Sequence, residues 1–198
     1  MGTIGEYPHR ATLSLEVAID YSRFVTRLFK PMTSDAEYMM HAAVGIAGEA
    51  GEIIDVIKKS WVYEKALDLD NLAEELGDIL FYMQAMAGFY RATLVEVKPL
   101  RGELETVTLR QIGNKIFINA AEVLAMAVPP LPNRARMLRA LGYVLHYVIE
   151  GAHYCDKTLN EIIFQNQDKL TKRYPQLFYR DADAIARADK IGEAGASS

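Results

Sequence analysis

Apolar residues recur along most of this chain at spacings of three and four, and no stretch of convincing length alternates apolar with polar. That is the period of helices with one buried face. Over residues 12–29, Leu13, Leu15, Val17, Ala18, Phe24 and Leu28 trace such a stripe, closed by Lys30-Pro31. A second helix is predicted from the cap Ser34-Asp35 to about residue 61, because those side chains can accept from the free amides of a first turn. A third is predicted from about 70 to about 96, short of Pro99, and a fourth from about 105 to 128, where Pro129-Pro130 and Pro132 stop it. A fifth covers 134–154 and a sixth 158–174. The predicted fold is therefore all-α, a helical bundle. The start through about Arg10 and the Ala/Gly/Ser-rich end from about Gly192 are expected to fray.

Two acidic interruptions stand out against this apolar background. Glu49-Ala50-Gly51-Glu52 is followed, after a gap of 22 residues, by Glu75-Leu76-Gly77-Asp78. Each pair is spaced i,i+3, which places both carboxylates on one helical face. One such pair in a helical protein is ordinarily a solvated face. Here both are embedded in apolar sequence, Ala42-Ala43-Val44-Gly45-Ile46-Ala47 before the first and Ile79-Leu80-Phe81 after the second. Acids in such settings are costly unless paired or coordinated. Two such helices side by side would converge four carboxylates, an arrangement that a divalent cation makes tenable. All-oxygen ligands suit Mg²⁺ or Mn²⁺ rather than zinc.

At this point the residues resemble a family. The run from Gly45-Ile46-Ala47-Gly48-Glu49-Ala50-Gly51-Glu52 through Lys58-Lys59-Ser60-Trp61 to Glu74-Glu75-Leu76-Gly77-Asp78-Ile79-Leu80-Phe81-Tyr82 resembles the MazG-like branch of the all-α nucleoside triphosphate pyrophosphohydrolases, relatives of the dimeric dUTPases. Asn166-Gln167-Asp168-Lys169-Leu170-Thr171-Lys172-Arg173-Tyr174-Pro175 resembles the closing motif of its compact members. The resemblance covers about 36–90 and 157–180. It implies Mg²⁺-dependent hydrolysis of a nucleoside triphosphate, with deoxyribonucleotides the expected class, between the α and β phosphates. The products would be the monophosphate and pyrophosphate, and Mn²⁺ would substitute for Mg²⁺.

On that reading Glu49, Glu52, Glu75 and Asp78 are both metal ligands and catalytic groups, with Glu49 or Glu52 also orienting the attacking water. The expected substrate contacts are Lys58, Lys59, Trp61, Lys65, Tyr82, Asn166, Lys169, Arg173 and Tyr174. Each has an ordinary alternative: lysines at a helix end serve its dipole, and aromatics at helical spacing serve a core. His41, upstream of the acids, reads as an ordinary helix residue. The nearest enzymatic rival is a dUTPase- or dCTPase-like preference, and a non-catalytic helical nucleotide-binding or interaction protein is a further alternative. Glu150-Gly151-Ala152-His153 is the ExxH pair that di-iron bundles use twice, but it occurs once, which weighs against a ferritin-like iron protein.

Charge and cysteine usage narrow the picture a little. With 22 Lys and Arg against 26 Asp and Glu, the chain carries a formal charge of −4, which gives no electrostatic footprint for nucleic acid. The single Cys155 fits a reducing cytoplasm, the expected location. Charges break the apolar runs well short of a membrane span. By analogy with compact relatives, a homo-oligomer, dimer or higher, is expected.

An internal repeat accounts for the atypical middle. Leu76-Gly77-Asp78-Ile79-Leu80-Phe81-Tyr82 aligns with Leu141-Gly142-Tyr143-Val144-Leu145-His146-Tyr147 at an offset of 65, and Thr93-Leu94 and Glu96 align with Thr158-Leu159 and Glu161. Glu75 then falls opposite Ala140 and Asp78 opposite Tyr143, so the second copy lacks ligands. The expected organisation is a single domain over 1–180, with a metal-binding half at 11–98, a degenerate half with the closing helix at 104–175, and a partly flexible tail at 181–198.

Overall fold

A computed structural model describes residues 13–99 and 107–186. The expected frayed ends, and the expected start of the fourth helix near Glu105, lie outside the described residues. Within them the protein is all-α: α1 (Leu15–Leu28), α2 (Asp35–Val62), α3 (Leu69–Phe89), α4 (Leu109–Met126), α5 (Arg134–Tyr154), α6 (Leu159–Arg173) and α7 (Asp181–Ala186), with a 3₁₀ turn at Leu94–Glu96. Helices α2, α3, α4 and α5 form a four-helix layer arrangement in which α2 packs on α3 and α4, and α5 on α3 and α4. Helices α1 and α6 cover the remaining side of α3. That makes α3 the central helix, and Leu72, Leu76, Ile79, Leu80, Met83 and Met86 on it are fully buried.

Helix starts follow the cap residues. Ser34 accepts from the Glu37 amide and Asp68 from the Asn71 amide. Thr108 and Thr158 form reciprocal capping boxes with Gln111 and Glu161. The third helix ends earlier than its apolar pattern predicts, at Phe89 rather than near Glu96. The reason is a competing local arrangement. Arg91 adopts the left-handed conformation at φ 55, and the Glu96 carboxylate accepts from the Thr93 amide at 2.9 Å. Buried Gln84 then accepts from the Leu94 amide at 3.0 Å and donates to the Ala92 carbonyl at 3.3 Å. A Thr-x-x-Glu box thus restarts the chain where periodicity alone would continue it. Helix α7 was not anticipated from the sequence; it is short and mostly exposed.

Both boundaries of α5 lie 65 residues beyond those of α3. The turns that follow also correspond. Tyr90, Arg91 and Ala92 donate to the carbonyls of Ala87, Gly88 and Ala87, and Cys155, Asp156 and Lys157 donate to those of Ala152, His153 and Ala152. Arg91 at φ 55 and Asp156 at φ 53 occupy matching left-handed positions.

Close helix approach depends on particular glycines. A Cβ at Gly77 would lie 3.0 Å from the Cβ of Asn166, so this glycine sets how near α6 can come to α3. A Cβ at Gly142 would run into the Lys98 carbonyl, a backbone atom. By contrast, nothing lies within 4 Å of a Cβ at Gly51. Gly142→Ala is therefore expected to destabilise the fold by about 1–3 kcal/mol through overpacking. Gly51→Ala should raise stability by about 0.5–1 kcal/mol through helix propensity. Denaturant unfolding of both variants checks the opposite signs.

Candidate active site

The acids of α2 and α3 meet where the two helices pack. Carboxylate oxygens of Glu49, Glu75 and Asp78 lie within 4.8 Å of one another. Glu75 is 8 % exposed, although a charged side chain seldom tolerates such cover. At that separation each pair of unit charges repels by about 3–4 kcal/mol at an effective dielectric near 20. The acids answer by holding protons. Burial first, then the charges of Asp78 and Glu75, push the Glu49 carboxyl up to about 8. Burial and the neighbouring Asp78 and Glu74 raise Glu75 as well.

Asp78 is fixed from α6. Asn166, 3 % exposed, donates from Nδ2 to Asp78 Oδ1 at 2.7 Å and accepts at Oδ1 from the Tyr21 hydroxyl at 2.8 Å. The Lys169 ammonium bonds the other oxygen of Asp78 and reaches Glu74 at 3.2 Å. This explains the spacing of the two motifs. Gly77 leaves the room that Asn166 needs, and Asn166 and Lys169, one turn apart on α6, take the two oxygens of the next residue on α3. Tyr21 on α1 completes the chain of contacts, and burial together with Asp78 raises its hydroxyl well above the ordinary range.

Glu52 lies one turn along α2 from Glu49 and is exposed. It lines the adjoining cavity without joining the close triad. The four carboxylates expected to converge therefore divide into three in contact and one beside them. The cavity, about 490 Å³, has an acidic part formed by Glu49, Glu52, Glu75 and Asp78 and an aromatic part formed by Phe29, His41, Phe81, Tyr82, Tyr174 and Tyr179. Arg173 and Lys30 also line it. The Tyr82 ring lies across α2 where Gly45 carries no side chain, since a Cβ there would overlap the ring. Burial, with Glu49 and Asp78, pushes the Tyr82 hydroxyl up to about 12.

The expected substrate contacts separate cleanly. Tyr82, Arg173 and Tyr174 line the cavity, and Asn166 and Lys169 hold Asp78. Lys58, Lys59, Trp61 and Lys65 are not among its lining residues. Lys58 and Lys59 both pair with Asp55, the latter at 2.8 Å. Trp61, 56 % exposed, carries Arg110 over its ring at 5.3 Å. Residues that sequence reasoning passed over as site elements are Phe29, Lys30, His41 and Tyr179. Phe29 and Lys30 read as a helix end, and the 174–186 segment offers no periodicity, yet it closes the cavity. The Tyr179 amide donates to the Arg27 carbonyl at 2.9 Å, and Lys30 pairs with Asp181 at 2.6 Å. Buried Cys155 faces the Leu69 carbonyl at 3.6 Å, away from this site, and burial pushes its thiol up to about 11. No helix among the described residues is long and apolar enough to cross a membrane.

Three mutually repelling carboxylate oxygens, two of them on groups that hold protons above the ordinary carboxylate range, form an oxygen donor set suited to a hard divalent cation. Between about pH 5 and 8 the folded chain retains a Glu49 proton that an unfolded chain has released. In the absence of divalent cations, stability should therefore fall as pH rises through this window, and Glu49→Gln should flatten the fall. Cation binding at pH 7 should expel a proton, and the release should fade by pH 9. Calorimetry in buffers of different ionisation enthalpy reads it directly.

The model of the MazG nucleotide pyrophosphohydrolase domain matches residues 40–97. That segment contains nearly all of α2, the whole of α3 and every member of the acidic cluster. No curated protein and no solved structure matches the chain. Over residues 40–97 the chain is similar to the MazG nucleotide pyrophosphohydrolase domain.

Proposed function

We propose that this protein hydrolyses nucleoside triphosphates, deoxyribonucleotides above all, between the α and β phosphates, releasing the monophosphate and pyrophosphate. The observation that carries this reading is the triad of Glu49, Glu75 and Asp78 oxygens within 4.8 Å, inside the segment that matches the MazG domain. Glu49, Glu75 and Asp78 would hold Mg²⁺, with Mn²⁺ able to replace it. Such an ion, when bound, polarises phosphoryl oxygens, offsets the charge of the leaving pyrophosphate and lowers the pKa of a coordinated water.

The protein's own groups supply the rest. Asn166 and Lys169 bond one oxygen each of Asp78, which holds that carboxylate in a single orientation. Glu52 lines the cavity outside the close triad, and so of the two candidates for orienting the attacking water it is the one the triad does not require. Arg173, on the cavity wall, would contact a phosphate. Tyr82 lines the same cavity. No Ser-His-Asp or activated cysteine arrangement accompanies these groups among the described residues, and attack by water on the α phosphorus is the mechanism they suit.

The second helical half is read as a degenerate copy that covers α2 and α3 in place of a partner subunit. The shared offset of 65 in helix bounds, left-handed residues and turn hydrogen bonds supports this. At the positions opposite Glu75 and Asp78 it presents Ala140 and Tyr143, which offer Mg²⁺ no carboxylate. Self-association remains part of the proposal. Val44 on α2 and Phe117 and Ile118 on α4 are exposed apolar side chains that an interface would cover.

Glu75→Gln and Asp78→Asn are each expected to lower kcat/KM by at least about 100-fold while the chain stays folded, and chelation should abolish turnover. In ¹⁸O-labelled water, ³¹P NMR should find the label in the monophosphate; label in pyrophosphate would contradict the site of attack. Calorimetry with a non-hydrolysable triphosphate and Mg²⁺ should give one nucleotide per chain. Two per chain would refute the degenerate half, and one per two chains would mean that a second subunit completes the site.

A further inference from the structure

His41 has no place in the metal chemistry, yet it occupies the cavity that the acids open onto. It precedes Glu49 by eight residues on α2, about 12 Å along the axis. Its ring stacks on Phe29 at 4.4 Å between centroids and meets the edge of Tyr82 at 6.0 Å. Phe29 and Tyr82 are themselves edge-to-face at 6.3 Å. His41 is thus the polar member of an otherwise aromatic cluster. Its Nδ1 is buried and has no hydrogen-bond partner. A buried imidazole nitrogen left without a partner is unusual in a settled core. A half-turn of the ring about Cβ–Cγ exchanges Nδ1 with Cδ2, so either nitrogen edge can be offered to the cavity. Burial, then the nearby Lys30 ammonium, hold the imidazole below its ordinary range, which leaves it neutral near pH 7 with one donor and one acceptor.

A flat heterocycle suits this surrounding. Aromatic rings give area without selecting among bases, because every base has a π face, whereas a directional hydrogen bond separates one base edge from another. With phosphates drawn to the acidic part of the cavity, the remaining volume beside Phe29, His41 and Tyr82 is where the other end of a nucleotide can lie. We propose that His41 discriminates between nucleobases, its imidazole edge hydrogen-bonding a base that lies in the cavity beside Tyr82. The inference rests on the hydrolase reading of the acidic cluster, and it adds the residue that sets base preference.

The test is His41→Phe, which keeps a ring against Phe29 and removes the polar edge, with His41→Gln as the variant that restores hydrogen bonding. Thermal unfolding of both establishes that they are folded. Across the common ribo- and deoxyribonucleoside triphosphates with Mg²⁺, the ratio of kcat/KM between best and poorest base should shrink at least 10-fold in His41→Phe, through KM for the best. His41→Gln should recover part of it. An unchanged ratio, or an equal fall for all nucleotides and for inorganic tripolyphosphate, overturns the inference. A second measurement is independent of turnover. In chelator, the His41 imidazole NMR resonance should move saturably with the preferred nucleoside monophosphate and not with orthophosphate. Turnover of triphosphates without any such movement overturns the role of His41. Movement without turnover supports it and removes the hydrolase reading instead.

Discussion

Everything at this site follows from the cost of holding Glu49, Glu75 and Asp78 together. Three carboxylate oxygens within 4.8 Å, one of them on a residue 8 % exposed, repel by several kcal/mol at any plausible interior dielectric. A bundle could avoid this by turning either helix a few tens of degrees. It does not, because α3 is gripped on all sides: α2 and α5 within the layer, α1 and α6 outside it. The packing of Leu72, Leu76, Ile79, Leu80 and Met83 fixes the rotation of α3, and the acids on the opposite edge of the same turns must accept where that rotation places them. The strain is relieved by protons on Glu49 and Glu75 and by the Lys169 ammonium on Asp78. The two protons are replaceable by a small cation of higher charge.

The same constraint links distant parts of the chain. Tyr21 on α1, Asn166 on α6 and Asp78 on α3 form one hydrogen-bonded line, and Asn166 reaches it only because position 77 has no side chain. Gly45 does the equivalent service for Tyr82. Gly45 and Gly77 are thus packing residues with a chemical consequence: they bring a side chain of another helix within reach of a carboxylate or a cavity wall. The segment after α6 returns over α1 through the Tyr179–Arg27 and Lys30–Asp181 contacts and so closes a cavity whose other walls belong to α2 and α3.

Much of this was legible in the sequence, for identifiable reasons. Helix existence came from apolar periodicity, and the start at Ser34 from a residue whose side chain caps a helix. The acidic pairs announced themselves by their apolar flanks. The end of α3 was misplaced because periodicity ran on through Thr93 and Glu96, while the decisive interactions, the Glu96 capping bond and the buried Gln84, compete with it locally. Glu52 could not be separated from Glu49 because i,i+3 spacing specifies a face and not which member of a pair a neighbouring helix will cover. Lys58, Lys59 and Trp61 looked suitable by residue type, but on α2 the two lysines turn to Asp55 and Arg110 covers the indole, pairings that residue type alone does not reveal. His41 and Tyr179 carried no motif at all; only the tertiary fold brings them beside the acids.

The central claim is that a divalent cation, held by Glu49, Glu75 and Asp78, is the partner this acidic cluster is built for. The most direct measurement is a Mn²⁺ titration followed by electron paramagnetic resonance, in the native chain and in Glu75→Gln, with and without a non-hydrolysable deoxyribonucleoside triphosphate. The account predicts saturable loss of the free-Mn²⁺ signal in the native chain, strengthened by nucleotide and weakened at least about tenfold in the variant. Equal binding by both chains, or no binding by the native chain even with nucleotide present, would contradict it.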